Sequence, residues 1–251
     1  MIDQALIGVY RLFSQRIAPL AHDTPEAVVS WMGAMQAQDY GQAVWAIGVR
    51  IPGGTLQTVE AAIEAGTILR TWPQRGTIHF VPAENAKWMV QLGGERMIAK
   101  DARRQAQLGL DAAQLTRCRA LAEKALAGRK RFTRAEMLQV FTEGGVPMDA
   151  PRGYHTLGYL AWMGVLCIGP LRAKEQTFVL LEDWVPNLRR LTHDEALTAL
   201  AAQYFTSHAP ATVYDSAWWA GLTLTEARAG LAGSQSKFVS ETIGKNTYWM
   251  P

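Results

Sequence analysis

The chain has 251 residues, of which 49% are hydrophobic and 19% charged, with a formal net charge of +3 and a pI near 8.9. This composition excludes a disordered chain, and the length allows one large domain or two to three small ones. No apolar run approaches the roughly 18 residues of a membrane span, and the N-terminus has no export-signal pattern.

The first part of the chain predicts helices followed by a hairpin. An amphipathic stripe predicts the first helix, and Asp23-Thr-Pro-Glu26 is a typical start for the second. A Pro-Gln-Arg-Gly interruption divides the predicted hairpin. The predicted elements are helices over Ile2–Ala18, Thr24–Met35, Ala43–Arg50 and Thr55–Ala65, a hairpin over Ile68–Val81, and a helix from Pro82 to about Leu92.

The same order of elements recurs twice. The second set is helices over Asp111–Ala127, Thr133–Glu143 and Pro151–Met163, then a ribbon over Val165–Leu181. The third set is helices over Asp194–Tyr204, Thr212–Trp219 and from Thr223 onward, then a ribbon over Phe238–Met250. Three helices and a two-stranded ribbon make a winged-helix unit containing a helix-turn-helix. The predicted fold is mainly α with small β-hairpins (α+β), in tandem winged-helix units over 1–95, 96–185 and 186–251.

Basic residues are concentrated in the middle of the chain. Between Arg96 and Arg134, eleven of the 25 lysines and arginines occupy 39 positions, with three acidic residues among them. Such a segment is either a solvated linker and helix face or a surface that contacts nucleic-acid phosphates. The composition alone does not decide between these alternatives.

Three polar side chains follow the second predicted helix, at Gln36, Gln38 and Asp39. If the helix continued, Gln36 and Asp39 would share a face and Gln38 would point away. If the chain became extended after Met35, Gln36 and Gln38 would project together. A frayed, solvated helix end is the plain alternative.

A second polar stretch lies in the predicted first hairpin. The string Arg-Thr-Trp-Pro-Gln-Arg-Gly-Thr-Ile-His brings Arg70, Arg75, Thr77 and His79 close to Trp72, which we expect to be buried. A hairpin with one polar face explains the alternation. A wing that grips phosphate or a base edge also explains the crowding of cationic groups.

These stretches together resemble a known family. Gln36-x-Gln38-Asp, then the Arg70–Glu84 string, then Pro210-Ala-Thr-Val-x-Asp215 and the terminal Tyr248-Trp-x-Pro251, are similar to the AlkZ-like tandem winged-helix DNA glycosylases. The resemblance spans nearly the whole chain. Family members remove alkylated purines, including bulky N7-guanine adducts and interstrand crosslinks. Their catalytic motif is Gln-x-Gln in the AlkZ branch and Gln-x-Asp in the YcaQ branch.

The resemblance implies that Gln36 and Gln38 are the catalytic pair, with Asp39 as a supporting or capping residue. It implies that the substrate is damaged double-stranded DNA. We expect the family's C-terminal β-rich domain to be absent after Pro251. The predicted DNA-binding residues are Arg70, Arg75, Thr77, His79, Arg103, Arg104, Arg129, Lys130 and Arg131.

Two glutamines can serve this chemistry because the leaving group is already activated. Enzymes that cleave glycosidic bonds usually use carboxylates, whereas an amide at neutral pH can only donate and accept hydrogen bonds. An N7-alkylated guanine is cationic and needs little acid catalysis. The enzyme then has to hold a water near the sugar carbon, and such positioning is a recognised source of rate.

The remaining expectations concern cofactors, location and rival functions. Cys118 and Cys167 are isolated and the five histidines are scattered, so we expect reduced cysteines, no metal and no organic cofactor. We expect a monomer in the cytoplasm, associated with the nucleoid. The alternative function is a non-catalytic winged-helix transcriptional regulator, and a truncated scaffold with neither activity is the third.

Overall fold

The structure is a computed structural model that describes residues 4–251. These residues divide into two compact units. The first contains 4–62, His79–Pro82 and Arg190–Pro251, and the second contains Ile63–Ile78 and Ala83–Arg189. The predicted division into 1–95, 96–185 and 186–251 follows the order of elements rather than this packing, and it stays a prediction.

Helices dominate the chain, and the strands are short. The α-helices are α1 (Ile7–Ser14), α2 (Pro25–Met32), α3 (Tyr40–Gly48), α4 (Leu56–Ala65), α5 (Ala86–Gln107), α6 (Ala112–Leu126), α7 (Arg134–Glu143), α8 (Ala150–Trp162), α9 (Leu181–Trp184), α10 (His193–Ser207), α11 (Val213–Ala220) and α12 (Leu224–Ser234). The strands are β1 (Met35–Gln36), β2 (Ile68–Gln74), β3 (Thr77–Pro82), β4 (Phe132–Thr133), β5 (Leu166–Arg172), β6 (Glu175–Leu180), β7 (Val239–Ile243) and β8 (Asn246–Met250).

The predicted order of elements is confirmed in all three parts of the chain. The series α2–α3–α4–β2–β3, α6–α7–α8–β5–β6 and α10–α11–α12–β7–β8 each place three helices before a strand pair. Local signals account for much of this agreement. Capping boxes begin α7 at Thr133, α11 at Thr212 and α12 at Thr223, which are the residues where these helices are predicted to start. The fold class, mainly α with small antiparallel strands in winged-helix order, is therefore confirmed.

Strand pairing is antiparallel throughout the described chain. In the second unit β2 pairs with β5, β5 with β6, and β6 with β4. In the first unit β1 pairs with β3, and β7 with β8. The turns Arg75-Gly76 and Ala173-Lys174 both have positive φ at their two residues. This is the tight turn whose twist matches paired strands, so each turn favours a hairpin.

The first helix leaves its apolar stripe exposed. Leu12 and Phe13 are 49% and 50% exposed, and Leu6, Val9 and Ile17 are exposed as well. Ile2, the other member of the stripe, lies outside the described residues. The helix is held from its other side by Arg11, which donates to the Pro210 carbonyl and to Asp215. Apolar periodicity predicts the helix, but it does not determine whether that face is covered.

The helix after the first hairpin is longer than predicted. It runs to Gln107 rather than Leu92, although Gly93 and Gly94 lie within it. A Cβ on Gly94 would lie 2.4 Å from the Trp162 carbonyl oxygen, so a glycine is required for α5 to pack closely on α8. Two further elements, β4 and α9, have no signal in the sequence because they are too short to show a period.

Candidate active site

The Gln36–Gln38 stretch begins where α2 ends. The predicted helix reaches Met35, but the observed one stops at Met32 because Gly33 turns the chain with φ 76° and ψ −56°. Met35 and Gln36 then form β1. Gln36 and Gln38 are exposed, and Ala37 between them is fully buried. This alternation of burial is typical of an extended chain, although the strand itself ends at Gln36. We call residues 33–39 the motif segment.

The pairing of β1 with β3 determines what lies beside Gln36. Met35 is opposite Phe80, and Gln36 is opposite His79. Residues opposite each other in an antiparallel pair project from the same face. Met35 and Phe80 are both buried and form the core side. His79, only 1% exposed, is therefore on the same side of the strand pair as Gln36.

Asp39 lies at the start of α3. Its Oδ1 accepts a hydrogen bond of 2.9 Å from the Gln42 backbone N–H, which makes Asp39 the N-cap. This bond satisfies one of the N–H groups of the first turn that have no partner within the helix. The carboxylate is exposed and adjoins Gln38 in the chain. Its geometry is that of a capping residue that fixes the end of the motif segment.

The predicted wing residues differ widely in exposure. Arg70 is only 4% exposed, Thr77 is half-buried, and Arg75 is exposed in the turn. Trp72, which we expected to be buried, is half-buried. Arg70, Arg75 and Thr77 belong to the second unit, whereas His79 belongs to the first. Of the predicted wing residues, His79 is thus the one whose position relative to Gln36 is fixed by strand register.

The first half of the basic segment forms one face of a helix. Four cations of α5 are exposed and follow the spacing of a single helical face, namely Arg96, Lys100, Arg103 and Arg104. We call this set the basic face. The Arg104 side chain donates to Gln107 at 3.3 Å through one of its guanidinium nitrogens. These residues are therefore an exposed helix face rather than a linker, which fits both a solvated helix face and a phosphate-contacting surface.

Three consecutive basic residues, Arg129, Lys130 and Arg131, lie between α6 and β4, and two of them already have partners. The Arg129 guanidinium stacks over the Trp184 ring at 4.6 Å and donates to the Trp184 carbonyl. Arg131 donates to both oxygens of Glu64 at 2.8 and 2.9 Å. Lys130 is exposed. An exposed ion pair is weak, so a phosphate could compete for Arg131.

Two residues that matter for the motif segment have no sequence signal. Gly33 lies within the helix that the sequence predicts as continuous. Gln203 of α10 donates to backbone carbonyls at the end of α2, across 172 and 173 positions of the chain. A contact over such a separation depends on tertiary packing, and a single sequence does not indicate it.

Other kinds of site find little support among the described residues. Within 4–251, no three histidine, cysteine or acidic side chains converge as a metal site. Burial raises the pKa of Cys118 to about 11, and burial also raises the pKa of Cys167, so neither thiol is suited to act as a nucleophile. No helix of the described chain has the length and apolar character needed to cross a bilayer.

Known proteins are similar to most of this chain. A family model described as "DNA glycosylase AlkZ-like" matches residues 29–250, a range that includes the motif segment. An interstrand DNA cross-link repair glycosylase of Streptomyces sahachiroi is 26% identical over 240 residues, covering 87% of this chain. The chain spans 61% of that relative's length. The solved structure of Streptomyces sahachiroi DNA glycosylase AlkZ superposes with a TM-score of 0.83 at 20% identity, covering 99% of this chain and 70% of that one.

Proposed function

The chain belongs to the AlkZ-like DNA glycosylase family, and we propose that it hydrolyses the N-glycosidic bond of alkylated purines in duplex DNA. The observation that carries the proposal is the pair of exposed amides, Gln36 and Gln38, separated by the buried Ala37. The relative named as a crosslink repair enzyme supports interstrand crosslinks as a further substrate.

The chemistry follows from what an amide can do. A cationic N7-alkylpurine leaves readily, so the demands are a positioned water and stabilisation of the positive charge that develops on the sugar. We assign the water to Gln38, whose amide can accept a hydrogen bond from the water O–H and donate one from its N–H. Gln36, on the strand beside His79, would hold Gln38 or the sugar. Fixed groups of this kind lower the barrier by orientation.

The supporting residues have narrower roles in this proposal. Asp39 caps α3 and would add a negative charge near the developing cation. Arg70 and His79 are buried, so we assign them to shaping the wing rather than to direct phosphate contact. Arg75 and Thr77 remain candidates for contact with the DNA backbone.

Phosphate contacts would come mainly from the basic face. Arg103 and Arg104 are exposed on α5, and Lys130 is exposed between α6 and β4. Such contacts position a protein on a duplex without reading its sequence. They suit an enzyme that searches undamaged DNA for rare lesions, and they imply action at the nucleoid.

An open arrangement also suits the crosslink. Most glycosylases extrude the target base into a pocket, but a base crosslinked to the other strand cannot leave the duplex. Amides that project from an exposed strand end could reach such a base without extrusion. We therefore propose interstrand crosslinks as substrates in addition to monoadducts.

The test is release of abasic sites from a duplex that carries N7-methylguanine, measured at several salt concentrations. We expect release that depends on Gln36 and Gln38, and a slower reaction on a mustard-crosslinked duplex. A chain that binds DNA but releases no abasic sites would overturn the proposal.

A DNA-binding regulator is the second candidate, because the winged-helix order and the basic face support it equally well. It predicts binding to one operator sequence, and it predicts that Gln36→Ala leaves that binding intact. Preference for a damaged duplex over every undamaged sequence would exclude it.

A further inference from the structure

The end of α2 leaves backbone groups that need partners. The carbonyls of Ser30 and Trp31 are among the last four of the helix, which have no partner within the helix. The Gln203 side chain of α10 donates to both, from Nε2 to the Ser30 oxygen at 2.6 Å and to the Trp31 oxygen at 2.5 Å. One amide group thus satisfies two carbonyls through its two N–H bonds.

The stem of the same side chain fills the space at Gly33. A Cβ placed on Gly33 would lie 2.5 Å from the Gln203 Cγ. The turn at Gly33 and the position of Gln203 are therefore matched to each other. Three residues after this turn the chain reaches Gln36, so the turn sets the direction in which the motif segment leaves the helix.

A second contact holds the same helix end from another side. The Trp31 indole N–H donates to the Ser14 carbonyl at 2.7 Å, and the Arg16 guanidinium lies 4.4 Å from the Trp31 ring. Ser14 ends α1 and Arg16 follows it, whereas Gln203 belongs to α10. All of these residues lie in the first unit. The helix end before the motif segment is thus fixed by two parts of the chain.

We propose that Gln203 is a positioning residue for the Gln36–Gln38 pair. It does not touch the substrate. It fixes the last carbonyls of α2 and the turn at Gly33, and so it aims both amides. In this way α10, which belongs to the third set of helices, contributes to the chemistry of the residues that follow α2 in the first set. The inference rests on the proposed glycosylase function.

The test compares two replacements of Gln203 with a control elsewhere. Gln203→Met keeps the stem against Gly33 and removes the donor, whereas Gln203→Lys restores an N–H donor. The control is Gln139→Met, which removes a single hydrogen bond to Glu143 on an exposed helix face. We measure the single-turnover excision rate with saturating enzyme, the Kd for an undamaged duplex, and hydrogen exchange at the amides of residues 34–38.

We expect Gln203→Met to lower the excision rate about tenfold, since small displacements of catalytic groups are costly. The Kd should change less than about twofold, because phosphate contacts determine it. Exchange at residues 34–38 should be faster, Gln203→Lys should recover most of the rate, and Gln139→Met should behave as wild type. In a Gln36→Ala, Gln38→Ala background, Gln203→Met should have no further effect on the rate, as expected for groups that act as one unit.

Different failures have different meanings. A wild-type rate in Gln203→Met, or an equal loss in the Gln36→Ala, Gln38→Ala background, would overturn the positioning role and leave the glycosylase proposal standing. An inactive wild type would overturn the proposed function. If the wild type is inactive, unchanged hydrogen exchange at residues 34–38 in Gln203→Met would also show that Gln203 does not hold the strand.

Discussion

The motif segment and the basic face both present polar side chains to solvent, but they hold them differently. Gln36 and Gln38 alternate with buried Ala37, and the segment is bounded by the Gly33 turn and the Asp39 cap. The four cations of the basic face project from one side of a long helix on flexible stems. Chemistry requires fixed groups, whereas attraction to a phosphate backbone tolerates mobile charges.

Gly33→Ala should have the largest effect on stability. The backbone at Gly33 has φ 76°, and the new Cβ would meet Gln203, so strain and overpacking together should cost about 4 kcal/mol. The matched control is Gly53→Ala, where φ is 66° and a Cβ meets nothing within 4 Å. Thermal unfolding should show a much smaller loss for Gly53→Ala. Equal losses would mean that the motif segment is not held by this packing.

Acid should weaken the first unit through His208. Burial lowers the pKa of His208 to about 4 from its usual 6.5. The unfolded chain therefore takes up a proton first as the pH falls, and stability is lost between about pH 6.5 and 4, by at most about 3 kcal/mol. Burial also lowers the pKa of His22, which adds to the loss in the same direction.

Urea unfolding from pH 7 to pH 4.5 measures this effect. His208→Phe keeps a ring beside Tyr204, which stacks on His208 at 4.7 Å, and removes the titration. The acid-dependent loss should shrink in this variant. The control His193→Gln replaces an exposed histidine, and the acid-dependent loss should shrink less in it than in His208→Phe. An unchanged profile in His208→Phe would contradict the assignment.

Two conservative substitutions in the motif segment test which of its residues holds the water. Gln38→Glu can still accept hydrogen bonds from water, so we expect a single-turnover rate about tenfold below wild type. Asp39→Asn keeps an oxygen that can cap α3, and we expect a milder loss. If Asp39→Asn lowers the rate more than Gln38→Glu does, the water would be assigned to Asp39. The catalytic pair would then be Gln36 and Asp39.

The salt dependence of binding should distinguish the basic face from the basic residues between α6 and β4. Removing one phosphate-binding cation flattens the salt slope by about 0.9. We expect Arg103→Ala, Arg104→Ala to flatten it by about 2. Arg129→Ala, Arg131→Ala should change it less, because Trp184 and Glu64 already engage these side chains. A larger change in the salt slope for Arg129→Ala, Arg131→Ala than for Arg103→Ala, Arg104→Ala would reverse the assignment of the phosphate contacts.

The parts of the fold that could be predicted from the sequence are those set by neighbouring residues. Capping boxes at Thr133, Thr212 and Thr223 involve a side chain and a backbone only three positions apart. Met35 fits the helical spacing of α2, yet it lies in the strand β1 and is buried there. A single apolar residue fits both a helical and a strand period, so Met35 does not show where the helix ends. The conformation of Gly33 determines that the helix ends before Met35.

The residue types of the candidate site come from the sequence, whereas its geometry does not. The resemblance to a family drew attention to Gln36 and Gln38, and the extended alternative fits the strand at Gln36 and the burial of Ala37. The position of His79 beside Gln36 depends on strand register, and the role of Gln203 depends on packing between distant helices. The exposure of the α1 stripe and the helical form of the basic face also follow from tertiary structure.

The most direct test measures rate and affinity together on one duplex that carries N7-methylguanine. Gln36→Ala, Gln38→Ala should lower the single-turnover rate by at least about 100-fold while Kd changes less than about twofold. Arg103→Ala, Arg104→Ala should weaken binding at least about tenfold at moderate salt and leave the saturated rate near wild type. If the glutamine variant keeps its rate, or if both variants lose rate and affinity in the same proportion, the motif segment and the basic face do not have the separate roles assigned to them.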